Sequence, residues 1–126
     1  MSLLRTDGIV ALSGSHSSTS AQIAQGRAKA WINFNGTGTI ASRDSFNVSS
    51  LVDNGTGDYT INLASPLPSA DYAALATVSG NPITNGSTIA TGPFTSVPTT
   101  SAYRFIAATS SAAVDPPYAA ASIHGD

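Results

Sequence analysis

Few residues of this 126-residue chain could perform covalent chemistry. A serine nucleophile needs a base beside it, and the chain has two histidines, His16 and His124. His16 lies in Ser13-Gly-Ser-His-Ser-Ser-Thr-Ser-Ala-Gln22, a polar stretch that cannot bury it, so a solvated side chain is expected. His124 follows the alternation of a final strand and faces either a partner chain or solvent. Ser13-Gly14-Ser15 has glycine on one side only, so it is no Gly-x-Ser-x-Gly elbow. Glu is absent, and a general acid–base pair for glycosides would have to come from seven Asp alone. Asp53-Asn-Gly-Thr-Gly-Asp58 imitates a calcium loop, but glycines occupy two alternate ligand positions and no Glu can close the site. A turn in which Asp caps its own backbone is the expected reading. Two distant histidines supply no metal-ligand set, and no Gly-x-x-x-x-Gly-Lys cradle exists. No catalytic, metal or cofactor site is expected, and the chain is read as a non-enzyme.

Composition narrows the remaining classes. Ala, Ser and Thr number 20, 19 and 14, whereas Lys29 is the single lysine and charged residues make up 10%. Without cysteine there is no disulfide framework. A net charge of −2 leaves no basic surface for phosphates, so nucleic acid is excluded as a partner. No apolar run is long enough to insert into a membrane. The first residues, Met1-Ser-Leu-Leu-Arg-Thr-Asp7, lack the basic and apolar regions of a secretory leader. Val, Ile, Leu and Phe total 26, and the rest of the apolar content is mostly alanine, which buries little area. Burying one face against identical copies would add apolar area without adding sequence, so an obligate homo-oligomer is expected.

The elements that must position any site read as strands. Ala73–Ala76 and Ala119–Ala121 are too short and too surrounded by Ser, Thr and β-branched residues for packed helices. Gly8–Leu12 is a possible first strand or arm, divided by the Ser/Thr linker of residues 13–22 from the body. Ala28–Phe34 places Ala30, Ile32 and Phe34 on one face and Trp31 on the other. Asn35-Gly36-Thr37-Gly38 is a hairpin turn whose Asn-Gly pair tolerates positive φ. Thr39–Ser42 returns, Phe46–Ser49 alternates, and residues 53–58 turn into Tyr59–Leu63, with Tyr59, Ile61 and Leu63 on one side. Pro66 and Pro68 end that strand. Tyr72–Val78, Tyr103–Ala107 and Tyr118–Ile123 follow, with a weak strand around Thr88–Ala90 inside the turn-rich segment 79–101. About eight short strands imply an all-β antiparallel sandwich or barrel. Arg27, Lys29 and Arg43 mark the solvated side of the first hairpin. Trp31 is either a core or interface residue or a platform for stacking sugars.

Lys29-Ala-Trp-Ile-Asn-Phe-Asn-Gly-Thr-Gly-Thr-Ile40 and Ser45-Phe-Asn-Val-Ser-Ser-Leu-Val-Asp-Asn-Gly-Thr-Gly-Asp-Tyr-Thr-Ile-Asn-Leu63 strongly resemble the C-terminal knob domain of bacteriophage tail fibre proteins. Pro68, Ala70–Ala73 and the final Ala-Ser-Ile-His-Gly-Asp also resemble that family. The resemblance covers residues 28–78 well and 103–126 loosely. It implies a β-sandwich knob over residues 28–126, a homotrimer at the tip of a fibre, used in host-surface recognition.

Residues 1–27 then form an attachment arm and linker, with Leu3, Leu4, Ile9, Val10 and Leu12 docking onto another virion protein in the tail or head, by strand addition. A receptor loop, binding a host glycan or protein, is expected at Asn81, Thr84, Asn85, Ser87 and Thr88, whose amides and hydroxyls suit sugar hydroxyls. The expected role is host adsorption by a virion protein made in the host cytoplasm, strengthened by avidity. The alternative is a structural virion component, a head fibre, decoration protein or minor tail protein, without a receptor-binding role.

Overall fold

A computed structural model describes residues 8–10, 17–79, 89–91, 96–109 and 112–125. The elements run β1 (Gly8–Val10), β2 (Ser17–Thr19), α1 (Ser20–Gly26), β3 (Ala28–Asn35), β4 (Ala41–Phe46), β5 (Val48–Gly55), β6 (Asp58–Leu63), β7 (Ala73–Val78), β8 (Ile89–Thr91), β9 (Ala102–Ala108) and β10 (Ala119–His124). The strands form an antiparallel two-stranded sheet, β1-β2, and two four-stranded antiparallel sheets, β4-β3-β10-β7 and β5-β6-β9-β8.

Alternation decides which side chains face inward. The four central strands each bury every second residue: Ala30, Ile32 and Phe34 on β3, Tyr59, Ile61 and Leu63 on β6, Tyr103, Phe105 and Ala107 on β9, and Ala119, Ala121 and Ile123 on β10. Together with Leu67 these residues form one cluster between the sheets. Phe34, from the first large sheet, meets Tyr59 edge-on at 5.0 Å and Phe105 at 6.1 Å, both from the second. T-shaped aromatic pairs of this kind add to what their area alone contributes. No polar or charged residue is buried among the described residues.

Residues 17–22 of the stretch expected to be an unstructured linker form regular structure. β2 pairs with β1, and a seven-residue helix follows directly. Thr19 accepts from the Gln22 N–H at 3.1 Å, while the Gln22 side chain accepts from the Thr19 N–H at 2.8 Å. This reciprocal capping box satisfies two donors that a helix start leaves orphaned. Thr-x-x-Gln was present in the sequence, hidden in a stretch dominated by Ser and Thr.

Phe46–Ser49 is not one strand. Asn47 has φ 55°, and there the chain leaves the first large sheet at β4 and enters the second at β5. Asparagine tolerates this left-handed conformation better than most residues. Its amide Nδ2 donates to the carbonyls of Lys29 and Ser65, and its Oδ1 accepts from the Ser65 N–H at 2.7 Å. One side chain therefore fixes the corner to both sheets.

The first hairpin turn also differs from expectation. Gly36 has no positive φ, whereas Gly38 does, at 62°. Gly36 is needed for space: a Cβ there would stand 2.9 Å from the Pro116 carbonyl oxygen and would overlap the Tyr59 hydroxyl. The second turn contracts to Thr56-Gly57, because β5 continues to Gly55.

A clamp closes this end of the sandwich. Asp115 Oδ1 accepts from the Gly57 N–H at 2.7 Å and from the Tyr59 hydroxyl at 2.9 Å, and that hydroxyl also reaches the Gly36 carbonyl. The Gly36 N–H donates to the Pro116 carbonyl at 2.9 Å. Burial, with the Asp115 carboxylate beside it, pushes the Tyr59 phenol well above its usual range, which keeps it a donor.

Candidate binding face

The two large sheets present different outer faces. On the β5-β6-β9-β8 sheet, polar side chains satisfy one another. Asn62 donates to Ser50 at 2.9 Å, Asn54 to Thr60 at 2.8 Å, and Arg104 Nε to Asp58 at 2.8 Å. A second Arg104 nitrogen reaches the other Asp58 oxygen, making the pair bidentate. The Arg104 hydrogen bonds, opposed by partial burial and helped by Asn54, hold the Asp58 carboxyl below its ordinary value of 3.8. The unfolded chain therefore binds a proton more readily than the folded one in this range, so the pair's contribution is complete above about pH 4 and fades as pH falls through the lower folded value. Urea titrations of the wild type should show stability falling below pH 4, and Asp58→Asn should flatten that acid limb. An acid limb unchanged by the substitution would contradict the assignment.

The outer face of β4-β3-β10-β7 carries an apolar row instead. Register places Phe46 opposite Trp31, Trp31 opposite Ser122, and Ser122 opposite Leu75. Phe46, Trp31 and Leu75 are 54%, 36% and 65% exposed. The next row is Asp44, Asn33, Ala120 and Thr77. Small residues on β10 between larger ones on β3 and β7 leave a trough of about 500 Å³, floored by Ala120 and Ser122 and flanked by Trp31 and Leu75. The Ser122 hydroxyl and His124 Nε2 lie 2.8 Å apart on the same side of β10. The chain matches no known family model, curated protein or solved structure.

The expected receptor residues, Asn81, Thr84, Asn85, Ser87 and Thr88, lie outside the described residues, as do Leu3, Leu4, Leu12 and His16. Ile9 and Val10 belong to β1, paired with Ser18 and Ser17, which gives that edge of the arm a strand partner within the chain itself. Trp31 points away from the core, as the alternation of β3 requires, and His124 faces the same way. Asp53 caps its turn by accepting from the Gly55 N–H at 2.9 Å, and Asp58 serves Arg104. Arg43 does more than face solvent: its guanidinium stands 4.2 Å from the Tyr118 ring centroid and donates to the Pro117 carbonyl.

Sequence reasoning singled out Trp31 but missed the rest of the row. Phe46 and Leu75 follow from pairing between strands far apart in sequence, which no local pattern contains. Arg104 and Asp115 were missed for the same reason.

Proposed function

We propose that the protein is a small bacteriophage tail-fibre or tail-tip knob, a non-enzymatic homotrimer that binds a host-surface glycan or protein and joins another virion protein through its N-terminal arm. The observation that carries this reading is where the knob-like segments fall. Residues 29–40 and 45–63 supply most of β3, the end of β4, and all of β5 and β6, cross both large sheets, and carry both glycine turns, Gly57 held by Asp115 and Gly36 by the Tyr59 hydroxyl and the Pro116 carbonyl. Several side chains of the resembling segments, Phe34, Asn47, Tyr59 and Ile61 among them, hold the two sheets together, which supports a knob-like fold. Trp31 and Phe46, inside the same segments, are left on an uncharged outward row that suits association.

An adsorption competition tests the reading. Purified protein, added in excess to host cells, is expected to slow attachment of the phage that carries it at least tenfold. Undiminished attachment, with the protein present in the particle, would point to a structural virion component such as a head fibre or decoration protein.

A further inference from the structure

We infer that Asn54 is a site of spontaneous covalent modification, at which the Gly55 nitrogen closes onto the Asn54 side chain and converts it to aspartate or isoaspartate. The inference goes beyond the proposed function and is independent of what the protein binds.

Asparagine is among the thermally labile residues, and a following glycine brings no side chain against the ring that must form. The chain has three Asn-Gly pairs, at 35–36, 54–55 and 85–86, the last of which lies outside the described residues. The fold treats the other two in opposite ways. Asn35 Oδ1 accepts from the Thr37 N–H at 3.2 Å and from the Thr37 hydroxyl at 2.8 Å, and its Nδ2 donates to the Thr37 carbonyl. Gly36 is buried, and its N–H donates to the Pro116 carbonyl at 2.9 Å. Ring closure at Asn35 would have to break all four of these bonds inside the clamped end of the sandwich.

Asn54 and Gly55 are both exposed. The pairing of β5 with β6 passes from Asp53 to Gly55, so Asn54 is the extra residue of a bulge and has no partner on β6. No atom lies within 4 Å of where a Gly55 Cβ would stand, which leaves room for a ring. The Gly55 N–H donates to Asp53 Oδ1 at 2.9 Å. That acceptor is a carboxylate, able to take the proton as the nitrogen attacks, whereas the Pro116 carbonyl opposite Gly36 is no base.

The step balances without any oxidant or reductant. The Gly55 nitrogen bonds to Asn54 Cγ, the Cγ–Nδ2 bond breaks, and the proton collected by Asp53 leaves on Nδ2 as ammonia. Water then opens the cyclic imide. Opening at Cγ gives aspartate, and opening at the main-chain carbonyl gives isoaspartate, whose backbone runs through Cγ. Either product sets a carboxylate where Nδ2 donated to Asp58 at 3.3 Å and to Thr60 at 2.8 Å, beside the Asp58–Arg104 pair. Isoaspartate also lengthens the chain between Asp53 and Gly55, whose partners are Tyr59 and Asp58.

The test follows the full chain through a long incubation at mildly alkaline pH, with peptide fragmentation to locate each gain of about 1 Da and isoaspartate methyltransferase to label the rearranged product. Folded wild type is expected to react at Asn54 faster than at Asn35 by about tenfold or more. The same chain unfolded in urea should react at the two sites at similar rates, because the preference comes from the fold. Asn54→Gln should remove the signal at that position and leave Asn35 as slow as before. Asp53→Ser, at an exposed position, should slow Asn54 severalfold. Equal rates at Asn54 and Asn35 in the folded protein, or a preference that persists in urea, would overturn the site. Faster reaction in Asp53→Ser would overturn the part given to Asp53, since that carboxylate would then be restraining Gly55.

Discussion

Phe34→Ala is expected to cost about 3–5 kcal/mol of folding stability, between a fifth and all of the roughly 5–15 kcal/mol total of a folded domain. Phe34 is fully buried and is the one aromatic that the β4-β3-β10-β7 sheet sends into the core. Its cross-strand neighbours are Ala119 on β10 and Ser42 on β4, so its own sheet offers no large side chain to fill the vacated space. Cavities that cannot collapse are the costly ones. Tyr59 and Phe105 would each lose an edge-on partner as well. Urea denaturation monitored by far-ultraviolet circular dichroism is expected to show a large drop in midpoint with an unchanged slope. Phe34→Leu, which keeps most of the volume, should recover more than half of the loss. A Phe34→Ala protein with a near-wild-type midpoint would mean that the aromatic cluster is not what joins the sheets.

The second large effect is expected at Gly57. Its φ of +70° is a conformation that costs other residues about 1–2 kcal/mol. A Cβ there would overlap the Ala107 carbonyl oxygen and stand 2.8 and 2.9 Å from the Val114 oxygen and nitrogen. These are backbone atoms that cannot rotate away, and overpacking of this kind adds about 1–3 kcal/mol. Any shift that relieved it would also disturb the Ala107 N–H bond to the Gly57 carbonyl and the Gly57 N–H bond to Asp115. Gly57→Ala is therefore expected to lose about 2–5 kcal/mol in the same urea assay. Gly38→Ala is the control, because Gly38 has φ +62° and nothing within 4 Å of a new Cβ. It should show the conformational cost alone, and the difference between the two variants isolates the crowding. Equal losses would remove crowding as the reason for glycine at position 57.

The contrast between these two glycines shows what the sequence could and could not convey. Both stand in turns that were recognisable from Asn, Gly and Thr clusters. Which glycine was needed for its φ alone and which also for the absence of a side chain depended on partners such as Ala107 and Val114, far away along the chain. Alternation was dependable on β3 and β6, where Ala30, Ile32, Phe34, Tyr59, Ile61 and Leu63 all face the core as expected. It misled at Phe46–Ser49, because a left-handed residue in the middle of an alternating run moves the chain to another sheet without interrupting the pattern of residue types. Capping chemistry at Thr19 and Gln22 was local, a Thr-x-x-Gln spacing inside a stretch dominated by Ser and Thr. The apolar outer row needed the register of four strands before it could be seen at all.

The position of β10 bears on how the molecule is made. This strand lies between β3 and β7, yet it is the last of the ten to leave the ribosome, some ninety residues after β3 by the numbering. Neither neighbour can complete its ladder until β10 has emerged, and the inner surface of that sheet waits for Ala119, Ala121 and Ile123. Topologies with such distant pairings are slow, taking milliseconds to seconds. The nascent chain would thus emerge with β3 unzipped along one edge, and chaperone occupancy during translation should be greatest over that interval.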